Sequence, residues 1–144
     1  MDLTSAWWFW ALLSAFFAAL TAIFAKVGVK EIDSDVATFI RTIVILVTLG
    51  LILLAVGKFH SPGEISTRTW LFLVLSGLAT GASWICYFRA LKVGDASLVA
   101  PVDKLSVVLV AVFGVTFLSE RLSGLQWVGI LLVGGGAVLL AVTG

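Results

Sequence analysis

The order of apolar and polar positions divides the chain into five long apolar runs, at about residues 7 to 28, 36 to 56, 70 to 91, 97 to 118 and 124 to 143. Each reaches the roughly 20 residues that a helix needs to cross about 30 Å of hydrocarbon. The links between them hold about 5 to 13 residues, too few for a soluble domain. The pattern predicts an all-α integral membrane protein of five transmembrane helices, spans 1 to 5, forming one membrane domain over residues 1–144. The leader MDLTSA carries an acid where a signal peptide would be basic, so span 1 is expected to persist in the mature chain.

Apolar surface toward lipid carries no information, so the polar positions are the ones to follow. Residues three and four apart share a helix face. Span 1 places Ser14, Ala18, Thr21 and Ala25 on one stripe, and span 2 places Thr38, Arg41, Ile45 and Thr48 on another. Span 3 aligns Thr80, Trp84 and Tyr87, with Ser83 beside them, and span 4 aligns Asp103 and Ser106, with Lys104 about 100° away. Span 5 has no polar face; its Gly129, Gly134, Gly135 and Gly136 suit close backbone contact with another helix, and we assign them to dimer packing. GLATG, with Gly77 and Gly81 in span 3, reads the same way.

Depth sorts the charges. Arg41, Arg89, Asp103 and Lys104 all fall near one end of their spans, roughly 3 to 11 Å below one membrane surface. A charge costs on the order of 2.5 to 3.5 kcal/mol at a helix centre and less at this depth. Lys104 and the arginines can snorkel to the surface while Asp103 pairs with one of them. A hydrated path that binds a polar solute accounts for the hydroxyls and Trp84 as well. Pro101 adds to it, because a helical proline frees the carbonyl one turn earlier, to be met by a ligand or by a neighbour such as Ser97.

Composition agrees with the membrane reading: 61% of residues are hydrophobic, and the mean hydropathy is +1.19. A net charge of +1 gives no basic patch and no reason to invoke nucleic acid. Cys86 is the only cysteine, read here as packing within span 3. His60, the only histidine, lies in a polar link and is read as solvated. No metal set, cofactor loop or nucleophile with its base is present, so no cofactor and no enzymatic activity are expected.

Five spans put the termini on opposite sides. We call face B the side of the N-terminus and of the links after spans 2 and 4, and face A the other. Lys26, Lys30, Arg89 and Lys92 gather on face A against Lys58, Arg68 and Arg121 on face B. Basic residues normally settle orientation; here they nearly balance, so the chain is a candidate for inserting both ways up. Trp7, Trp8, Trp10, Trp70 and Trp127 form an ordinary interfacial belt at face B, whereas Trp84 lies deep in span 3.

From YFRALKVGDASLVAPVDKLSVVLV to ERLSGLQWVGILLVGGGAVLLA, the chain resembles the EamA-type repeat of the drug/metabolite transporter superfamily. The resemblance rests on Tyr87, Ala90 and Leu91 ending span 3, Pro101 early in span 4, Glu120 and Arg121 before a glycine-rich last helix, and Arg41 in span 2. It implies a five-helix repeat that larger members carry twice in opposite senses. This chain holds one copy, so the resemblance and the charge balance together point to an antiparallel homodimer, a dual-topology ten-helix transporter of the cell (inner) membrane. In the related small multidrug resistance family, an embedded glutamate in the first helix binds protons and cationic drugs; span 1 has no carboxylate.

Cations outnumber the one embedded acid, which favours an anionic or zwitterionic small-molecule solute held by charge-assisted hydrogen bonds. The expected substrate-binding residues are Thr38, Arg41, Thr80, Trp84, Tyr87, Arg89, Asp103, Lys104 and Ser106, with Trp84 and Tyr87 enclosing the apolar part. Burial favours a neutral carboxyl and a nearby cation favours the charged one, so Asp103 beside Lys104 or Arg41 is the proton-coupling candidate. Glu120 is read as a pairing or capping residue at face B. The function expected is a secondary transporter of small organic metabolites working by alternating access. The alternatives are a flippase for lipid-linked substrates or a multidrug exporter of the same superfamily, and a non-transporting accessory subunit.

Overall fold

The computed structural model describes residues 6–58 and 65–144. The leader and His60, with the expectations attached to them, lie outside the described residues. The chain is all-helical, with α1 Trp7–Gly28, α2 Ser34–Val56, α3 Thr67–Val93, α4 Ala96–Asp103, α5 Ser106–Phe117 and α6 Gly124–Thr143. Among the described residues, five stretches are long and apolar enough to cross a membrane, with α4 and α5 together supplying the fourth, Ala96–Phe117.

Polar residues at the links set the helix ends. The Asp33 carboxylate accepts from the N–H groups of Asp35 (2.8 Å) and Val36 (3.3 Å), so α2 starts earlier than its apolar run. Gly57 ends α2 in the left-handed region at φ 66°, where the N–H groups of Gly57 and Lys58 reach back to the carbonyls of Leu54 and Leu53. α6 begins with a reciprocal cap: Ser123 N–H donates to Gln126 Oε1 (2.7 Å) and Gln126 N–H to Ser123 Oγ (3.3 Å).

Span 4, expected as one helix, is interrupted. Pro101 has no N–H for the Ser97 carbonyl, and its ring crowds that turn. The N–H groups of Lys104, Leu105, Val107 and Val108 then reach back only three residues, to Pro101, Val102, Lys104 and Leu105, at 2.9 to 3.1 Å. This tightened turn separates α4 from α5 and is the kind of break that proline causes within a span.

The chain forms two compact units. One is Ala25–Lys92, the last turn of α1 with α2 and α3. Its buried positions are Ala25, Val29, Ser34, Ala37, Thr38, Phe88 and Leu91. Lys26 Nζ donates to the Leu91 carbonyl at 2.8 Å, and Lys92 Nζ donates to the Ile32 carbonyl. The Leu91 carbonyl lies in the last turn of α3, where a cation is favoured, and the Ile32 carbonyl lies in the link before α2.

The other unit joins the chain up to Phe24 with Val93–Gly144. Here α4 and α5 both pack on α6, through small buried residues that include Ala111, Gly114, Gly134 and Ala137. Gly134, expected to pack a dimer, is spent inside the chain: a Cβ there would stand 2.7 Å from Val108 Cγ2. Gly129, Gly135 and Gly136 have open space around theirs. Valine is stiff about χ1 and cannot swing aside cheaply. Gly134→Ala is therefore expected to cost about 1–3 kcal/mol, read as faster thermal inactivation in detergent, while Gly135→Ala leaves the rate unchanged.

The α5 to α6 link folds back on α5. Ser119 takes a positive φ of 57°, the N–H groups of Leu118 and Glu120 both donate to the Gly114 carbonyl at 3.1 Å, and the Glu120 carboxylate lies where a Cβ on residue 114 would be. Gly114→Ala must displace that side chain.

Candidate functional site

The most specific arrangement of polar groups within a membrane helix pair lies between α2 and α3. Arg41 projects from α2 with its guanidinium carbon 4.3 Å from the centroid of the Trp84 ring and 5.4 Å from that of Phe88, both on α3. Trp84 and Phe88 are four residues apart and so share a face. Stacking on an aromatic ring is worth about 0.5–2 kcal/mol and rises as the cation loses water. Among the described residues, neither ion pair includes Arg41. Its planar fork is thus held by aromatic faces rather than neutralised by a carboxylate, which suits bidentate capture of an oxyanion. Tyr87 borders the cluster, its ring edge-on to Phe88 with centroids 6.4 Å apart.

Three hydroxyls on the stripes bond within their own helices. Thr38, Thr48 and Thr80 donate to the carbonyls of Ser34, Val44 and Ser76 at 2.7 to 2.9 Å. Such back-bonding satisfies the hydroxyl in lipid without any solute, and it leaves only oxygen lone pairs to offer one. Thr38 is buried beside the Arg41 level, while Thr48 and Thr80 are exposed farther along. Cys86, expected to pack, is exposed on α3; two residues from Trp84, it lies about 200° around the helix from the Arg41 seam.

Arg89 is engaged elsewhere on the same seam. It grips Asp35 side-on, Nε to Oδ1 at 2.9 Å and Nη2 to Oδ2 at 2.5 Å. Asp35 falls in the first turn of α2, in what reads from sequence as a link, and hydropathy alone does not single it out. Phe88 escapes notice because a phenylalanine in a span looks like a lipid-facing residue; its spacing from Trp84 is the signal that finds it.

In the other unit, Asp103 and Lys104 form their own pair at 3.1 Å, with side chains 36% and 54% exposed. They stand at the α4–α5 break, with Ser106 opening α5. Because i and i+3 eclipse in a three-residue turn, Asp103 and Ser106 keep one face through the break. The structure thus brings Arg41 to Trp84, Arg89 to Asp35 and Lys104 to Asp103. Among the described residues, no group of His, Cys, Asp and Glu side chains is placed to hold a metal ion.

A guanidinium stacked on aromatic rings in a spanning helix and a proline-broken helix thus occur in the same chain. Residues 5–142 match the EamA-like transporter family. The chain belongs to that family. A protein of Sinorhizobium sp described as an uncharacterized transporter in cobO 3'region is 62% identical to it over 140 residues, covering 97% of this chain and 99% of that protein. No solved structure matches the chain. The EamA-like assignment and the five apolar helices make it a multi-pass membrane transporter. Within the EamA-like repeat, Arg41 and the broken Ala96–Phe117 span are the features with evident chemistry.

Proposed function

We propose that this EamA-like chain is a secondary carrier of small organic metabolites, anionic or zwitterionic, that works by alternating access as an antiparallel homodimer in the cell (inner) membrane. The observation that carries the proposal is Arg41, a guanidinium within a spanning helix stacked 4.3 Å over Trp84. Such a group binds planar oxyanions through paired hydrogen bonds, and the adjoining rings cover the apolar part of a solute.

Size and charge support the dimer. The family match occupies residues 5–142, and the Sinorhizobium relative is matched over 99% of its length. A second, inverted copy would supply the other half of an alternating-access pathway. The near balance of basic residues between the two faces permits both orientations. Asp103, paired with Lys104 at 3.1 Å at the α4–α5 break, is the carboxylate we assign to proton coupling.

The test is exchange by the purified chain in proteoliposomes loaded with a panel of labelled carboxylic acids, amino acids and quaternary amines. Counterflow of carboxylates or amino acids, with the amines excluded, is expected. Counterflow of the amines alone would contradict the anionic or zwitterionic reading, and no counterflow of any of them would favour an accessory subunit.

A further inference from the structure

The face A end of the Ala25–Lys92 unit is its best-sealed part. Val29, Ser34, Ala37, Thr38, Phe88 and Leu91 are buried there, whereas Thr48 and Thr80, toward face B, are exposed. The Asp35–Arg89 pair stands at the rim of this packed end. Arg41 lies six residues farther along α2 from Asp35, and Trp84 lies five residues back along α3 from Arg89. The ion pair and the Arg41–Trp84 stack are therefore two rungs of one antiparallel seam, about 8 to 9 Å apart. Thr38 and Phe88 fill the interval.

Three of the cations at this end are held differently. Lys26 and Lys92 donate to backbone carbonyls, of Leu91 and Ile32, which are neutral acceptors. Arg89 is held by a carboxylate, in the bidentate geometry in which it would hold a carboxylate solute. That contact is also easily given up. The Arg89 and Asp35 side chains are 62% and 46% exposed, and an ion pair with such access to water shifts an equilibrium by no more than about five-fold.

From this arrangement we infer that Arg89 is an anion-admitting site at the face A mouth of the α2–α3 seam, and that Asp35 is its built-in counter-ion. Asp35 occupies the guanidinium when no solute is present and yields it to a carboxylate or similar oxyanion on the way to Arg41. Arg89 thereby selects for charge before the solute reaches the deeper guanidinium, and Asp35 holds Arg89 between turnovers. The inference rests on the carrier reading of the Arg41 site, but its test needs no transport.

In a Cys86→Ser background, Thr38→Cys puts one thiol between the two rungs. Its modification rate is followed in proteoliposomes with two membrane-impermeant methanethiosulfonate reagents, one bearing a sulfonate and one a quaternary ammonium. Asp35→Asn is expected to raise the sulfonate reagent's rate about five-fold, the worth of an exposed pair, and to raise the ammonium reagent's rate less. Arg89→Gln should lower the sulfonate-to-ammonium ratio, and the exchanged pair Asp35→Arg with Arg89→Asp should bring both rates back toward the parent. Equal acceleration of both reagents by Asp35→Asn, or a ratio unmoved by Arg89→Gln, overturns the proposal and leaves a pair that staples two helices. Should Asp35→Asn fail to insert, the ratio in Arg89→Gln decides alone. Charge-selective labelling without solute exchange would count against the carrier reading and leave this one standing.

Discussion

Replacing Arg41 with glutamine is expected to lower solute exchange by roughly ten- to a hundredfold, the worth of a charge-assisted hydrogen bond of about 1.5–3 kcal/mol. Arg41→Lys should recover little. An ammonium keeps the charge but has no planar fork to stack on Trp84 at 4.3 Å while offering two parallel donors. The companion change Trp84→Phe keeps a ring face of weaker attraction and should lie between parent and Arg41→Gln. Folding is not at stake in the same way: a guanidinium in lipid costs free energy, so its removal should leave insertion and yield intact. The check is initial exchange rate at matched amounts of inserted protein. A rate in Arg41→Gln equal to the parent's would remove the α2–α3 site from the pathway.

The second large effect is expected at Asp103. Asn keeps the shape and hydrogen-bonding ability of the side chain but cannot carry a proton between states. Asp103→Asn should therefore abolish accumulation driven by an imposed pH gradient while solute-for-solute exchange continues. The one ion-pair partner of Asp103 among the described residues is Lys104, 3.1 Å away. Unchanged gradient-driven uptake in Asp103→Asn would take this residue out of the coupling step.

Much of this was legible in the sequence, for a physical reason. A spanning helix must be apolar over about 20 residues, so the five spans stand out as runs. The end of α2 near face A was less legible: Asp33 and Asp35 count as polar link residues in any hydropathy reading, yet one caps the helix and the other lies in its first turn. Pro101 signals a disturbance in span 4, but where the chain resumes its helix depends on the backbone bonds from Lys104 to Val108.

The stripes on α2 and α3 were readable singly, since spacing of three and four defines a face. Which stripe meets which is a tertiary fact, so the Arg41–Trp84 contact and the Asp35–Arg89 grip emerge only from the fold. Composition misleads in two places. The stripe hydroxyls look like solute ligands, yet Thr38, Thr48 and Thr80 donate within their own helix. A run of three glycines looks uniform, yet Gly134 alone of Gly134, Gly135 and Gly136 has a neighbour where its Cβ would be.

The proposal that one repeat becomes a whole carrier by meeting an inverted copy is tested most directly by the orientation of the C-terminus in living cells. Two fusions suffice, one to a phosphatase active only outside the cytoplasm and one to a fluorescent protein that matures only inside it. Comparable signal from both is expected, together with a shift to one reporter when a pair of lysines is added to either face. Signal from a single reporter in the parent chain would show one fixed orientation and contradict the inverted pair.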